Sequence, residues 1–145
     1  MEDRRVSGIP SGYVATRLID PFEIHVGPVH EKGPRGAKRY ALLVDRRHVN
    51  GRGVVHGGML LTFADAAFGQ AAWDATDFAS SVTLGMQAQF IKGARLGELV
   101  EVSPEVVRRT RTLLFIKGDF KVKSETICIV QSLWKLLDAK KGAGS

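Results

Sequence analysis

Hydrophobic and polar positions follow two different rhythms along the chain. From Gly57 to about Ala75, "GGMLLTFADAAFGQAAWDA" holds no proline and one β-branched residue, while Ala, Leu, Met and Phe dominate. That composition predicts a helix of roughly eighteen residues, ~27 Å long at 1.5 Å per residue. It is apolar nearly all round, as a helix is when it is enclosed rather than laid on a surface. Elsewhere the rhythm is extended. "VTLGMQAQF" places Val82, Leu84, Met86, Ala88 and Phe90 on one face and Thr83, Gly85, Gln87 and Gln89 on the other. "ELVEVSPEVVRRT", "TLLFIKGDFKV" and "TICIVQSLWKLL" supply further strands, with a bulge expected at Gly118. Upstream, "FEIHVGPVHEKG" reads as a first extended segment punctuated at Gly27-Pro28, and "GPRG" as a turn. "AKRYALLVDRRHV" then reads as a second strand, and "NGRG" as a break.

Two strands, one long helix, then three or four strands with short turns describe an α+β domain. Its single central helix is wrapped by a largely antiparallel β-sheet. One sheet cannot surround a helix completely, so the leftover apolar surface argues for a partner subunit. The 145 residues suit one such domain, expected over 21–138. Residues 1–20 read as a lead-in of loop or short helix, and 139–145 as a polar tail.

Composition narrows the class without defining it. Hydrophobic content of 44% and charged content of 25% are ordinary for a globular protein. No apolar run reaches membrane-spanning length, and residues 1–10 lack the apolar core of a signal peptide. Cys128 is the single cysteine, sits in apolar "TICIV" and can form no internal disulfide. A core position for it and a reducing, cytoplasmic compartment are the expectation. The formal charge of +6 raises an anionic partner. The basic residues are spread from Arg4 to Lys141 without a nucleic-acid-binding signature. A solvated surface comes first, a small phosphorylated ligand second and nucleic acid a distant third.

One residue does not fit the apolar helix. Asp65 is a carboxylate in a helix interior, expensive to bury without a partner or a job. Projected at 100° per residue, Gly58, Thr62, Asp65, Gly69 and Ala72 share an arc of roughly 80°, while Leu60, Leu61, Phe63, Phe68 and Trp73 lie outside it. A carboxylate with glycines beside it has the open space of a cleft floor; close packing against a partner helix explains the arc equally well. Gly57 and Gly58 open the helix, where unpaired N–H groups and the dipole favour negative charge and can stabilise an oxyanion. Gly57 and Asp65 are ~12 Å apart along one helix, too far to act on one reacting group. Antiparallel helices from two subunits could bring Gly57 of one to Asp65 of the other, so the spacing implies a composite site.

"HVNGRGVVHGGMLLTFADAAFGQAA" resembles the core motif of hotdog-fold acyl-CoA thioesterases of the phenylacetyl-CoA (PaaI-like) type, relatives of one group of 4-hydroxybenzoyl-CoA thioesterases. The similarity runs from about Pro21 to Leu136, with "FEIHVGPV" fitting the family's first strand and "VTLGMQAQFIKGARLGELV" its first strand after the helix. The resemblance implies an acyl-CoA thioesterase for aromatic or medium-chain acyl groups. Asp65 would be its general base or nucleophile, and the Gly57 N–H of the opposite subunit would polarise the thioester carbonyl. Asn50 would position substrate, His56 would shape the same corner, and Thr83 would stand near the carboxylate and its water. Gly58, Thr62, Gly69 and Arg95 would contact substrate. No metal or other cofactor is implied, and the assembly is expected to be at least a homodimer, with a homotetramer foreseen. Coenzyme A phosphates would meet some of Arg46, Arg47, Lys92, Arg95, Arg108 and Arg109. The chain departs from the family pattern at Gly85, at Lys92-Gly93 and in the bulky "ICIVQSLWKLL", none of which touches the Asp-Gly-Asn core. A 2-enoyl-CoA hydratase and a non-catalytic acyl-CoA-binding or regulatory protein of the same fold are the rival readings.

Overall fold

The computed structural model describes residues 8–16 and 20–137. The expected polar tail, 139–145, lies outside the described residues. In chain order the elements are β1 (Val14–Ala15), α1 (Pro21–Val26), β2 (His30–Lys32), β3 (Arg39–Leu43), a 3-10 turn (Arg46–His48) and α2 (Gly57–Ala75). There follow β4 (Ser81–Phe90), β5 (Leu99–Val102), β6 (Glu105–Arg109), β7 (Leu113–Val122) and β8 (Glu125–Leu136). The sheet runs β1-β2-β3-β5-β7-β8-β4, with β6 also paired to β7, and every pairing is antiparallel.

The sheet curls round α2, as the hydrophobic pattern requires. Along β7, Leu114, Ile116, Gly118, Phe120 and Val122 are buried while Phe115, Lys117, Asp119 and Lys121 face out. From the helix, Phe63 meets Phe120 edge-on with ring centroids 5.4 Å apart, and Phe68 meets the same ring at 5.9 Å. Burying each of these phenylalanines contributes about 1.5–3 kcal/mol, more than any single hydrogen bond nearby. Gly118 lies close against the helix. A Cβ there would sit 2.7 Å from Val102 Cγ2 and 3.1 Å from two atoms of the Phe68 ring. Its register to Val130 is regular, so the bulge expected at Gly118 is absent; β7 shifts register between Phe120 and Lys121 instead.

The first extended segment is the other correction. Phe22 to Val26 form the short helix α1, not a strand. Asp20 accepts from the N–H groups of Phe22 (2.8 Å) and Glu23 (3.4 Å), and Pro21 occupies the first turn, so the helix start is fixed locally. α1 has no buried residue and is held by polar clamps at its far end. Arg47 donates to the carbonyls of His25 and Gly27 while pairing with Asp45 at 2.7 Å. Buried His48 takes a hydrogen bond from the Asp45 N–H at Nδ1 (3.0 Å), which leaves Nε2–H to donate to the Val26 carbonyl at 2.6 Å. Only His30–Lys32 of the expected first strand is extended, and Val14–Ala15, inside the expected lead-in, pairs with it.

No helix among the described residues is long and apolar enough to cross a membrane.

Candidate active site

Asp65 projects from the side of α2 that the sheet leaves open, and it is exposed. Beside it lies β4, the last strand of the sheet. The alternation of "VTLGMQAQF" predicts Thr83 on the face opposite Met86, but the ladder to β8 shifts register between Thr83 and Gly85. Leu84 is the extra residue. Thr83 is therefore opposite inward-facing Trp134, just as Met86 is opposite Ser132 and Ala88 opposite Val130, while Val82 pairs with outward Lys135. The bulge turns Thr83 toward the helix, where its hydroxyl donates to Asp65 Oδ1 at 2.7 Å. One carboxylate oxygen is thus fixed by a donor, and the other has no hydrogen-bond partner among the described residues.

Of the other expected residues, Gly57, Gly58 and His56 stand at the start of α2 and Asn50 in the loop before it, while Thr62 and Gly69 lie further along the helix. Neither the Gly57 nor the Gly58 amide finds an acceptor among the described residues. Gly57 has a steric reason to lack a side chain, since a Cβ would lie 3.0 Å from Phe90 Cζ; at Gly58 the same position is open space. His56 occupies the N-cap by its backbone, its carbonyl accepting from Met59 and Leu60, and its side chain makes no capping bond. Asn50 Oδ1 accepts from the amides of Arg52 (2.9 Å) and Val54 (3.2 Å), holding the loop whose far end receives the His56 N–H at His48. Thr62 gives its hydroxyl to the Gly58 carbonyl at 2.9 Å, and Gly69 lies against the edge of the Trp134 ring.

Three of the six basic candidates have structural partners. Arg47 clamps α1, Lys92 pairs with Glu125 at 2.9 Å, and Arg109 donates to the Ala75 carbonyl at the end of α2. Arg46, Arg95 and Arg108 are exposed; Arg95 is engaged through its backbone, its N–H donating to the Glu98 carboxylate and its carbonyl accepting from the Glu98 N–H.

Glu23 is the residue that sequence reasoning missed. Burial raises its carboxyl above the usual range, and the negative charges of Asp20 and Asp65 add to the effect, so α1 brings a second carboxyl toward the first. The signal was present in Asp20-Pro21, which opens a helix and turns Glu23 away from the direction a strand would give it.

Two concavities of the protomer lie elsewhere. One of about 380 Å³ is lined by Arg39, Glu101, Lys117 and Asp119; one of about 330 Å³ by Lys38, Tyr40, Asp74 and Pro104. Asp65 lines neither.

A single long helix held in a curled antiparallel sheet defines a hotdog-fold protein of the thioesterase type. Residues 52–129 match the family model described as the thioesterase superfamily, and the chain belongs to that family. A Pseudomonas aeruginosa protein provisionally named an esterase is 36% identical over 111 residues, 74% of this chain and 81% of its own. Acyl-coenzyme A thioesterase 13 of Homo sapiens is 28% identical over 88 residues, 61% of this chain and 63% of that one. Among solved structures, a mutant of the phenylacetic acid degradation protein PaaI from Thermus thermophilus superposes with a TM-score of 0.73 at 22% identity. It covers 81% of this chain and 100% of that one. A hypothetical thioesterase from Streptococcus pneumoniae, solved with coenzyme A, gives 0.70 at 20% identity, covering 75% of this chain and 85% of that one. At these identities the structures speak for the fold.

Proposed function

We propose that the protein hydrolyses acyl-CoA thioesters to a free acid and coenzyme A, at a site completed by a second copy of the chain. The observation that carries the reading is Asp65 on the open side of α2, one oxygen held by Thr83 at 2.7 Å and the other without a partner among the described residues. That carboxylate takes a proton from water as the water oxygen attacks the thioester carbon. The carbonyl oxygen gains the negative charge and meets the Gly57 N–H of the opposite subunit, a donor oriented before the reaction begins. Collapse breaks the C–S bond, the electron pair leaves on sulfur, and the proton returns from Asp65 to the thiolate. In the alternative route the same oxygen attacks the thioester carbon, expelling the thiolate and forming a mixed anhydride that water opens at the Asp65 carbonyl. A single turnover in ¹⁸O-water separates the two, because direct attack leaves label in Asp65.

Three features support a shared site. Asp65 lines neither of the two concavities described above, and its own Gly57 is ~12 Å away along the helix. β4 is an unpaired edge whose ten residues include no Lys, Arg, Asp, Glu or Pro to discourage pairing. Val82, Leu84, Phe90 and Ile91 are exposed along it. A homodimer is the minimum assembly this implies, and a homotetramer a pair of such dimers. The relatives named as thioesterases, and the one solved with coenzyme A, support the acyl-CoA substrate.

The test is thiol release from a panel of acyl-CoAs by wild type and Asp65→Ala. Turnover is expected from the wild type and loss of at least about a hundredfold from the variant, as for removal of a general base. Unchanged activity in the variant refutes the role of Asp65. Loss of enoyl absorbance without thiol release would move the protein to the hydratases, and thermal stabilisation by acyl-CoA without turnover to the binding proteins.

A further inference from the structure

We propose that Trp73 and Phe78 form the acyl-tail end of this cleft, selecting neutral apolar acyl groups that reach two helical turns beyond Asp65. This rests on the hydrolase reading above.

Asp65, Gly69 and Trp73 stand at i, i+4 and i+8, a single row along α2 that spans ~12 Å. Trp73 borders the arc occupied by the small residues. The middle of the row has no side chain. Beneath it lies the Trp134 indole, whose Cη2 would be 3.5 Å from a Cβ at Gly69. The row is therefore a notch with a carboxylate at one end, an aromatic edge as its floor and an indole at the other end.

The far end is built from two large aromatics kept out of the core. Trp73 is 45% exposed and Phe78 49%, with ring centroids 5.5 Å apart. The Phe78 N–H donates to the Trp73 carbonyl at 2.9 Å. Arg35 lies over the Phe78 ring at 4.1 Å, pairs with Asp77 at 2.9 Å and donates to the Asp74 carbonyl. The chain then enters β4 and delivers Thr83 to Asp65. The aromatic pair and the catalytic pair are thus two ends of one helix-turn-strand unit. A thioester whose carbonyl is at Asp65 can run its acyl group along the notch onto these rings. An acetyl group stops short of them; a medium-chain group touches both. Exposed aromatic rings recognise hydrocarbon by area.

The experiment compares octanoyl-CoA with acetyl-CoA in wild type, Trp73→Ala and Gly69→Leu, the last filling the notch. The octanoyl-to-acetyl ratio of kcat/KM is expected to fall at least about tenfold in each variant, in Trp73→Ala chiefly through KM. Calorimetric titration of both thioesters into the Asp65→Asn protein and its double variants reads the same ratio without turnover. It therefore tests the subsite even where no hydrolysis is seen. A ratio unchanged in both variants overturns the subsite. So does equal loss on both thioesters accompanied by dissociation in sedimentation, which would make Trp73 a subunit contact. A wild type that binds with the predicted ratio yet releases no thiol sinks the hydrolase reading and leaves the subsite standing.

Discussion

Replacing Thr83 by alanine removes one hydrogen bond at the edge of the sheet. Its effect measures how dry the active site is. In the isolated protomer Thr83 and Asp65 are both exposed, and water would replace the lost donor at a cost of about 0.5 kcal/mol, roughly twofold in rate. In a cleft covered by a second subunit the bond is a donor to a charged group away from water, worth about 1.5–3 kcal/mol. At 1.36 kcal/mol per decade that is roughly 10- to 150-fold in kcat. Steady-state thiol release with Thr83→Ala, Thr83→Ser and Thr83→Val separates the contributions. Serine keeps the donor and should stay within a few-fold of wild type, while valine keeps the shape and should fall with alanine. Alanine and valine variants within twofold of wild type, or a serine variant as poor as alanine, would refute the claim that Thr83 orients the carboxylate.

Two further predictions concern the framework. Gly118→Ala places a methyl 2.7 Å from Val102 Cγ2 and 3.1 Å from the Phe68 ring, both buried and unable to yield. Overpacking of this kind costs about 1–3 kcal/mol. Calorimetry should show Tm lower by several degrees, at ~2–4 °C per kcal/mol, and an unchanged Tm would contradict the packing described. Glu23, with its proton affinity raised in the fold, adds stability that is complete below the ordinary glutamate range and lost as pH rises through its raised value. Glu23→Gln should therefore melt above wild type at neutral pH, with the gain vanishing as pH falls toward 4; an equal gain at every pH would exclude the charge as its cause.

The long helix was legible from composition alone, its expected span from Gly57 to about Ala75 matching the observed Gly57–Ala75. Regular alternation did the same for β7 and β8. What escaped was decided by single residues. Phe22 and Ile24 look like one face of a strand, but the Asp20-Pro21 pair ahead of them closes a helical turn, and local capping outweighed alternation. In β4 one extra residue at Leu84 reversed the face of Thr83, and nothing in the hydrophobic pattern marks where a ladder slips. Gly118, with its expected bulge, answers to the helix pressing on it rather than to its own strand. For the site, the Asp65–Gly57 spacing could be read from the helix, whereas the meeting of Asp65 with Thr83 depends on the bulge and the approach of Glu23 on α1.

The uncharged border of the sheet makes the protein's solubility a matter of timing. Backbone amides on β4 that await a matching ribbon do not distinguish a finished copy from an unfinished one. Productive association and fibrous misassembly therefore draw on the same ten residues, and crowding of nascent chains favours the wrong one. A lysine set into that border would keep isolated chains in solution and, if the site is shared as proposed, forfeit the enzyme.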